Sequence, residues 1–203
     1  MLGIGALVGI AVLAVGGTHT TEVWLLAVIA AIAFGDLARR ARAERSAGDP
    51  TDVWMSVAFA AVLLGAAWDA GRIGGAERTA ARTLAVRLAG TAVIFVGFAL
   101  RQRAAHTLGE QFLVRLAVRD DHRLVDSGPY RWVRHPTYAG LLLVALGTAL
   151  AFESAAALAA TMLVWLPITL ARIGREEHIL ASRFGTAYDA FRRRTWRLLP
   201  GLY

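Results

Sequence analysis

The side chains able to do chemistry are gathered in the second half of this 203-residue chain. The run His122-Arg123-Leu124-Val125-Asp126-Ser127-Gly128-Pro129-Tyr130-Arg131-Trp132-Val133-Arg134-His135-Pro136-Thr137-Tyr138-Ala139-Gly140 combines a turn with a helix entry. Pro136 suits the first helical position and leaves His135 near the N-cap. There, unpaired backbone N–H groups and the positive dipole end attract an anion such as a carboxylate or phosphate. The same Arg-His-Pro would also serve as a plain interfacial start to a transmembrane helix. A second constellation, Glu176-Glu177, follows an apolar run, with Arg172 and Arg175 a turn or less before it. Adjacent carboxylates at a membrane boundary are costly unless solvated or paired, so they signal either function or a local salt bridge. A carboxylate here can accept hydrogen bonds from sugar hydroxyls and lower the energy of a nearby cation. Arg172 can clamp an anion through two parallel N–H bonds. The chain has no cysteine, which excludes disulfides, thiolate metal sites and cysteine nucleophiles. Chemistry must come from His, carboxylates, Arg, Tyr and backbone, and no metal site is expected.

These groups must be positioned by elements that the hydropathy pattern makes visible. The chain is 57% hydrophobic and 18% charged, too apolar for an ordinary soluble domain. The excess is blocky, with uncharged stretches at Leu2–Gly17, Val23–Phe34, Val53–Trp68, Leu88–Leu100, Pro136–Phe152 and Ser154–Ala171. With Thr and Trp shoulders, most can cross a hydrocarbon core of about 30 Å at about 1.5 Å per residue. Leu88–Leu100 must recruit Leu84 and Arg87 to do so. The pattern therefore predicts an all-α, polytopic transmembrane bundle of six spans, with five as the alternative count. No Lys or Arg precedes the first run and a second follows closely, so that run is expected to stay in the protein rather than leave as a secretory signal.

The formal charge of +7 invites a nucleic-acid partner, but every basic residue is arginine and nearly all lie between apolar runs. Arg39, Arg40, Arg42 and Arg45 fall in one connection, seven from Arg101 to Arg134 in another, and seven from Arg172 to Arg197 in the tail. The alternate connections hold Arg72, Arg78 and Arg82. By the positive-inside bias this predicts a multi-pass protein of the plasma (inner) membrane, with both termini and the reactive half cytoplasmic. Residues 1–100 supply four spans, rich in Ala, Gly, Val and Leu, with Gly5, Gly9 and Gly65 suited to close helix packing. Trp24, Trp54 and Trp68 read as interfacial anchors. Residues 101–203 supply two spans, a surface helix over 105–119 with Leu108, Phe112 and Leu116 on one face, and an amphipathic tail with Leu180, Phe184, Tyr188 and Phe191 on one face.

Residues 101–203 resemble the isoprenylcysteine carboxyl methyltransferase family and its phospholipid and thiol methyltransferase relatives. The resemblance is carried by Leu-Val-x-Ser-Gly-Pro-Tyr-x-x-Val-Arg-His-Pro-x-Tyr-x-Gly at 124–140, Glu176-Glu177, Phe184-Gly185-x-x-Tyr188-x-x-Phe191 and Arg197-Leu198-Leu199-Pro200-Gly201. It implies a cytoplasmic-side pocket for S-adenosylmethionine, walled by the loop before the Arg-His-Pro helix and capped by the tail. It implies that His135, Pro136 and the Tyr138–Gly140 backbone meet the methionine end of that cofactor. Glu177 would take the ribose with Glu176 in support, and Tyr130, Val133 and Tyr188 would enclose the cofactor. Arg101 and Arg172 correspond to arginines that family enzymes place near the substrate. The family pattern has a tyrosine where this chain has Phe191, so one hydroxyl is missing. Residues 1–100 carry no family signature.

The resemblance implies in-line methyl transfer to an amphiphilic, lipid-like or isoprenoid acceptor that enters between helices from the membrane lipids. A carboxylate acceptor, with a pKa of about 3.5, is ionised at neutral pH and needs only desolvation and alignment. An amine or thiol acceptor, as in a phospholipid N- or thiol S-methyltransferase, needs a base, for which His122, His135, Glu176 and Glu177 are the candidates. An NADPH-dependent membrane reductase would want a denser cationic constellation inside the bundle. A non-catalytic membrane protein lining a path would want polar residues at mid-span, where only Arg87 and Thr91 stand out.

Overall fold

The computed structural model describes residues 50–72, 80–109 and 124–201. The apolar runs 2–17 and 23–34, the arginines of 39–45, Trp24, Arg78, residues 110–119 of the expected surface helix and His122 lie outside the described residues. Among the described residues the chain is all-helical, with one isolated bridge between Val133 and Trp196. Helix α1 is Pro50–Arg72, α2 is Ala80–Leu108 and α3 is Pro136–Ala151. Helix α4 runs over Ala155–Phe184, and the short α5 is Thr186–Arg194. The last four apolar runs of the sequence thus each form a helix.

Helices α2 and α4 are long and apolar enough to cross a membrane; the apolar parts of α1 (Trp54–Asp69) and α3 are shorter. Their outward faces carry Leu84, Leu88, Phe95 and Val96 on α2, Leu158 and Leu163 on α4, and Val57 and Leu64 on α1, all exposed. A helix apolar all round belongs in lipid or in a deep core, and contiguous apolar surface of this kind is rare on a soluble monomer. Trp54 and Trp68 stand exposed near the two ends of the apolar stretch of α1, as interfacial indoles do.

Several boundaries follow from glycine and proline. Helix α2 continues past Leu100 without a break to Leu108, so Arg101 and Arg103 lie on the same helix as the apolar run and the expected surface helix has no separate start at 105. The chain leaves the helix at Gly109, whose φ of +55° favours glycine. Gly185, at φ +51°, likewise separates α4 from α5, so the amphipathic tail is two helices and not one. Within α4, Thr161–Trp165 is wound as a π-helix, with the Leu166 N–H bonded back to the Thr161 carbonyl. Pro167 follows at once; it offers no N–H and crowds the carbonyl four residues back, which favours a shifted ladder.

Close backbone approach joins α2 to α3. A Cβ on Gly97 would lie 2.6 Å from the Gly140 carbonyl oxygen, and one on Gly147 would lie 2.8 Å from that of Gly90. The two pairs are seven residues apart on each antiparallel helix, two turns, so they recur on one face. A Cβ on Gly140 would also meet the Arg101 backbone nitrogen at 3.0 Å, so the glycine brings Arg101 against the start of α3. A Cβ on Gly65, expected as a packing residue, would likewise lie 2.9 Å from the Ala156 backbone.

At the other end of α3 an inter-helix cap holds α1 to α4. The Asp69 Oδ2 accepts from the Ser154 hydroxyl at 2.7 Å and from the Ala156 N–H at 3.0 Å, while the Ser154 Oγ accepts from the Ala157 N–H at 2.9 Å. Two of the open N–H groups at the start of α4 are thereby satisfied. Asp69→Ala is expected to lower stability by about 1–3 kcal/mol. A thermal unfolding curve in detergent unchanged from the parent would show that the cap carries no weight.

Candidate active site

The site is assembled from the loop before α3, the polar end of α4 and the segment after α5. Ser127-Gly128-Pro129 is a turn, with Gly128 at φ +56° and Pro129 opening a 3₁₀ turn over Gly128–Arg131. The chain then straightens over 132–135 and lies beside 196–197. The Trp196 N–H donates to the Trp132 carbonyl at 2.9 Å, the Arg134 N–H to the Trp196 carbonyl at 2.7 Å, and the His135 N–H to the Arg197 carbonyl at 3.2 Å. This parallel pairing ties the C-terminal segment to the entry of α3. Pro136 occupies the first turn of α3, as expected, and the His135 carbonyl accepts from the Tyr138 and Ala139 N–H groups.

Helix α4 contributes one buried face, Thr169, Arg172, Ile173, Glu176 and Glu177, spaced by three and four residues. Arg172 Nε donates to the Tyr138 hydroxyl at 2.7 Å, and that hydroxyl donates to Glu176 Oε2 at 3.2 Å, so Tyr138 joins a cation to an anion. Glu177 is the hub of the remaining contacts. Its Oε1 accepts from Arg134 Nε at 3.0 Å and lies 3.4 Å from His135 Nε2, and its Oε2 pairs with Arg197 at 2.9 Å. Arg134 also donates to the Arg192 carbonyl at 3.1 Å and to the Thr195 carbonyl. The carboxylate therefore binds three separate parts of the chain together, and its ion-pair partners are remote arginines and not those of its own helix.

The other expected site residues surround this network. Val133 and Tyr138 share an apolar cluster with Ala139, Ile173 and Leu198. Tyr130 and Tyr188 are buried together with Ala104 and Phe191. Phe191 packs its ring 6.1 Å from that of Tyr188, so the position without a hydroxyl is a core contact. Arg101 is only 3% exposed, held beside Gly140 by the α2–α3 packing. Tyr188 is fully buried. Burial, and next the charge of Glu177, push its phenol well above the ordinary value of about 10, so it stays a neutral donor. Among the described residues, the buried polar atoms here that make no hydrogen bond include His135 Nδ1 and the Tyr188 hydroxyl oxygen. Such orphans are rare in native interiors and point to a missing partner.

A sequence model of the isoprenylcysteine carboxyl methyltransferase family matches residues 89–182. That stretch of the chain is similar to this family. The chain is similar to the probable protein-S-isoprenylcysteine O-methyltransferase of Oryza sativa subsp. indica, 32% identical over 117 residues, covering 57% of this chain and 61% of the relative. It is 34% identical over 108 residues to protein-S-isoprenylcysteine O-methyltransferase B of Arabidopsis thaliana, covering 52% and 54%. It is 35% identical over 107 residues to the Schizosaccharomyces pombe protein-S-isoprenylcysteine O-methyltransferase, covering 52% and 45%. The chain thus spans roughly half of the length of the relatives it matches.

The matched segment contains Arg101, Tyr130, Val133, Arg134, His135, Pro136, Tyr138, Gly140, Arg172, Glu176 and Glu177. Tyr188 and Arg197 lie beyond residue 182; Arg197 pairs with Glu177, and Tyr188 is buried near enough to feel its charge. Arg134 and Arg197 were legible as members of the motifs but carried no role in the sequence. Their role is to pair with Glu177 across 43 and 20 positions. Gly140 has a packing reason for its identity, quite apart from any ligand.

Proposed function

We propose that this protein is an S-adenosylmethionine-dependent methyltransferase of the membrane, acting on the carboxylate of an amphiphilic, isoprenoid or lipid-like acceptor at the cytoplasmic face of a six-span bundle. The single observation that carries this reading is the joining of the α3 entry, the acidic pair and the C-terminal segment through Glu177, within a segment similar to the methyltransferase family. The residues present fit the cofactor. A carboxylate has about four acceptor positions, and Glu177 uses three on Arg134, His135 and Arg197. One remains for a ribose hydroxyl. The orphaned His135 Nδ1 and Tyr188 hydroxyl are polar atoms awaiting a partner of this kind. When bound, S-adenosylmethionine supplies an electrophilic methyl group on a sulfonium.

The chain's own residues would bind and align. Arg101, Arg134, Arg172 and Arg197 outnumber Glu176 and Glu177, and this positive excess suits an anionic head group in a site with little water. With a carboxylate acceptor the cofactor would supply its methyl group without any proton transfer, so these side chains would need only to hold and align the acceptor. Tyr138 keeps Arg172 and Glu176 in register, so the arginine is oriented before the acceptor arrives. A second reading, transfer to a thiol or amine, draws support from the His135–Glu177 contact. A carboxylate on Nε2 favours the tautomer whose Nδ1 can accept a proton.

Equilibrium binding of isotopically labelled S-adenosylmethionine to the purified full chain, followed by mass spectrometry of membrane lipids and small thiols, tests this. Saturable binding and a labelled carboxyl ester are expected. Binding of NADPH in its place would overturn the proposal.

A further inference from the structure

The buried threonines of the described residues divide unevenly. Thr148 donates to the Val144 carbonyl, Thr161 to that of Ala157 and Thr195 to that of Phe191, each at 2.6–2.8 Å, and the Thr137 hydroxyl meets that of Tyr130 at 3.5 Å. Thr169 is 0% exposed, and its hydroxyl has no partner among the described residues. A threonine in a helix ordinarily bonds back to the carbonyl three or four residues earlier. For Thr169 that carbonyl belongs to Trp165 or Leu166, at the seam where the π-helix ends and Pro167 interrupts the ladder. A buried hydroxyl left unsatisfied costs about 1–3 kcal/mol, and a partner would recover it.

Its place in the fold says which partner. Thr169 lies on the buried face of α4 with Arg172 and Glu176, about 4.5 Å further into the apolar layer than Arg172 at the helical rise. Leu166, Leu170 and Ile173 on the same helix belong to an apolar cluster with Ala139, Leu100 and Met55. The hydroxyl therefore stands where the charged end of the site gives way to hydrocarbon.

We propose that Thr169 is an acceptor-binding residue: its hydroxyl donates a hydrogen bond to the polar head of the methyl acceptor, at the junction between that head, held by Arg172, and its apolar tail. This rests on the methyltransferase reading above for the nature of the ligand. A single donor at this depth would select amphiphiles whose head bears an acceptor atom close to the start of the chain, as in an S-isoprenylcysteine carboxylate.

The test uses the full-length protein in detergent, N-acetyl-S-farnesylcysteine as probe, and the variants Thr169→Val and Thr169→Ser. Thr169→Val removes the hydroxyl at constant shape; the free variant is expected to melt at or above the parent's temperature and to bind the probe at least tenfold more weakly. Thr169→Ser keeps the donor and is expected to bind the probe within threefold of the parent. S-adenosylmethionine affinity, measured separately, should be the same in all three proteins. Equal probe affinity in parent and Thr169→Val, or no probe binding by the parent, overturns the role of Thr169 while leaving the methyltransferase reading to stand on cofactor binding. Probe binding that depends on Thr169 in a protein that does not bind S-adenosylmethionine supports the acceptor site and overturns that reading.

Discussion

Glu177→Gln is expected to weaken S-adenosylmethionine binding by at least tenfold and to release the C-terminal segment from the entry of α3. The amide keeps the shape but removes the charge opposite Arg134 and Arg197, whose guanidinium groups are also largely withdrawn from water. Breaking a buried ion pair from one side costs about 3–5 kcal/mol because a charge is left unmatched. The Glu177 side chain is 11% exposed, so solvent screens part of this and about 2 kcal/mol is the reasonable expectation. Two readouts separate the two consequences. Titration calorimetry reports the cofactor, and trypsin cleavage after Arg192, Arg193 and Arg194, exposed on α5, reports detachment of the segment that follows. Cofactor affinity equal to the parent's would remove Glu177 from the ligand site and leave it as a purely structural clasp.

Arg172→Lys is expected to lower kcat/KM for methyl transfer by roughly a hundredfold, about 2.7 kcal/mol, while changing S-adenosylmethionine affinity by less than about threefold. Lysine keeps the charge but not the planar fork, and it has no Nε–H to donate to the Tyr138 hydroxyl. The acceptor's anionic group would then be attracted but not aligned, and alignment is where a reaction without a general base finds its rate. Initial rates at saturating cofactor, together with cofactor binding by calorimetry, give both numbers. Parental turnover in Arg172→Lys would place the acceptor elsewhere. A matched loss of cofactor affinity would move Arg172 to the cofactor side of the site.

Much of the local structure was visible without coordinates because its causes are local. The four apolar runs between 53 and 171 became helices because a backbone among apolar side chains must bond to itself. Pro136 starts α3 through its own backbone preference. The boundary that failed, a surface helix starting near 105, failed because a change in polarity does not interrupt a helix. Nothing between Phe98 and Leu108 breaks the ladder, and Gly109 does.

The sequence by itself determined an arginine-rich chain free of cysteine, with apolar runs of membrane-spanning character and a set of family motifs holding His135, Tyr138, Arg172, Glu176 and Glu177. Only the tertiary structure decided how these meet. That Glu177 pairs with Arg134 and Arg197, that Tyr138 bridges Arg172 to Glu176, that Gly97 and Gly140 admit Arg101 to the site, and that Asp69 caps a helix 87 residues away are all contacts between separate elements. Hydropathy and capping preferences act within one element, over a turn or two. Partners tens of residues apart are chosen by how whole helices pack, and there the close approach of glycine backbones and the cost of a buried unpaired charge decide.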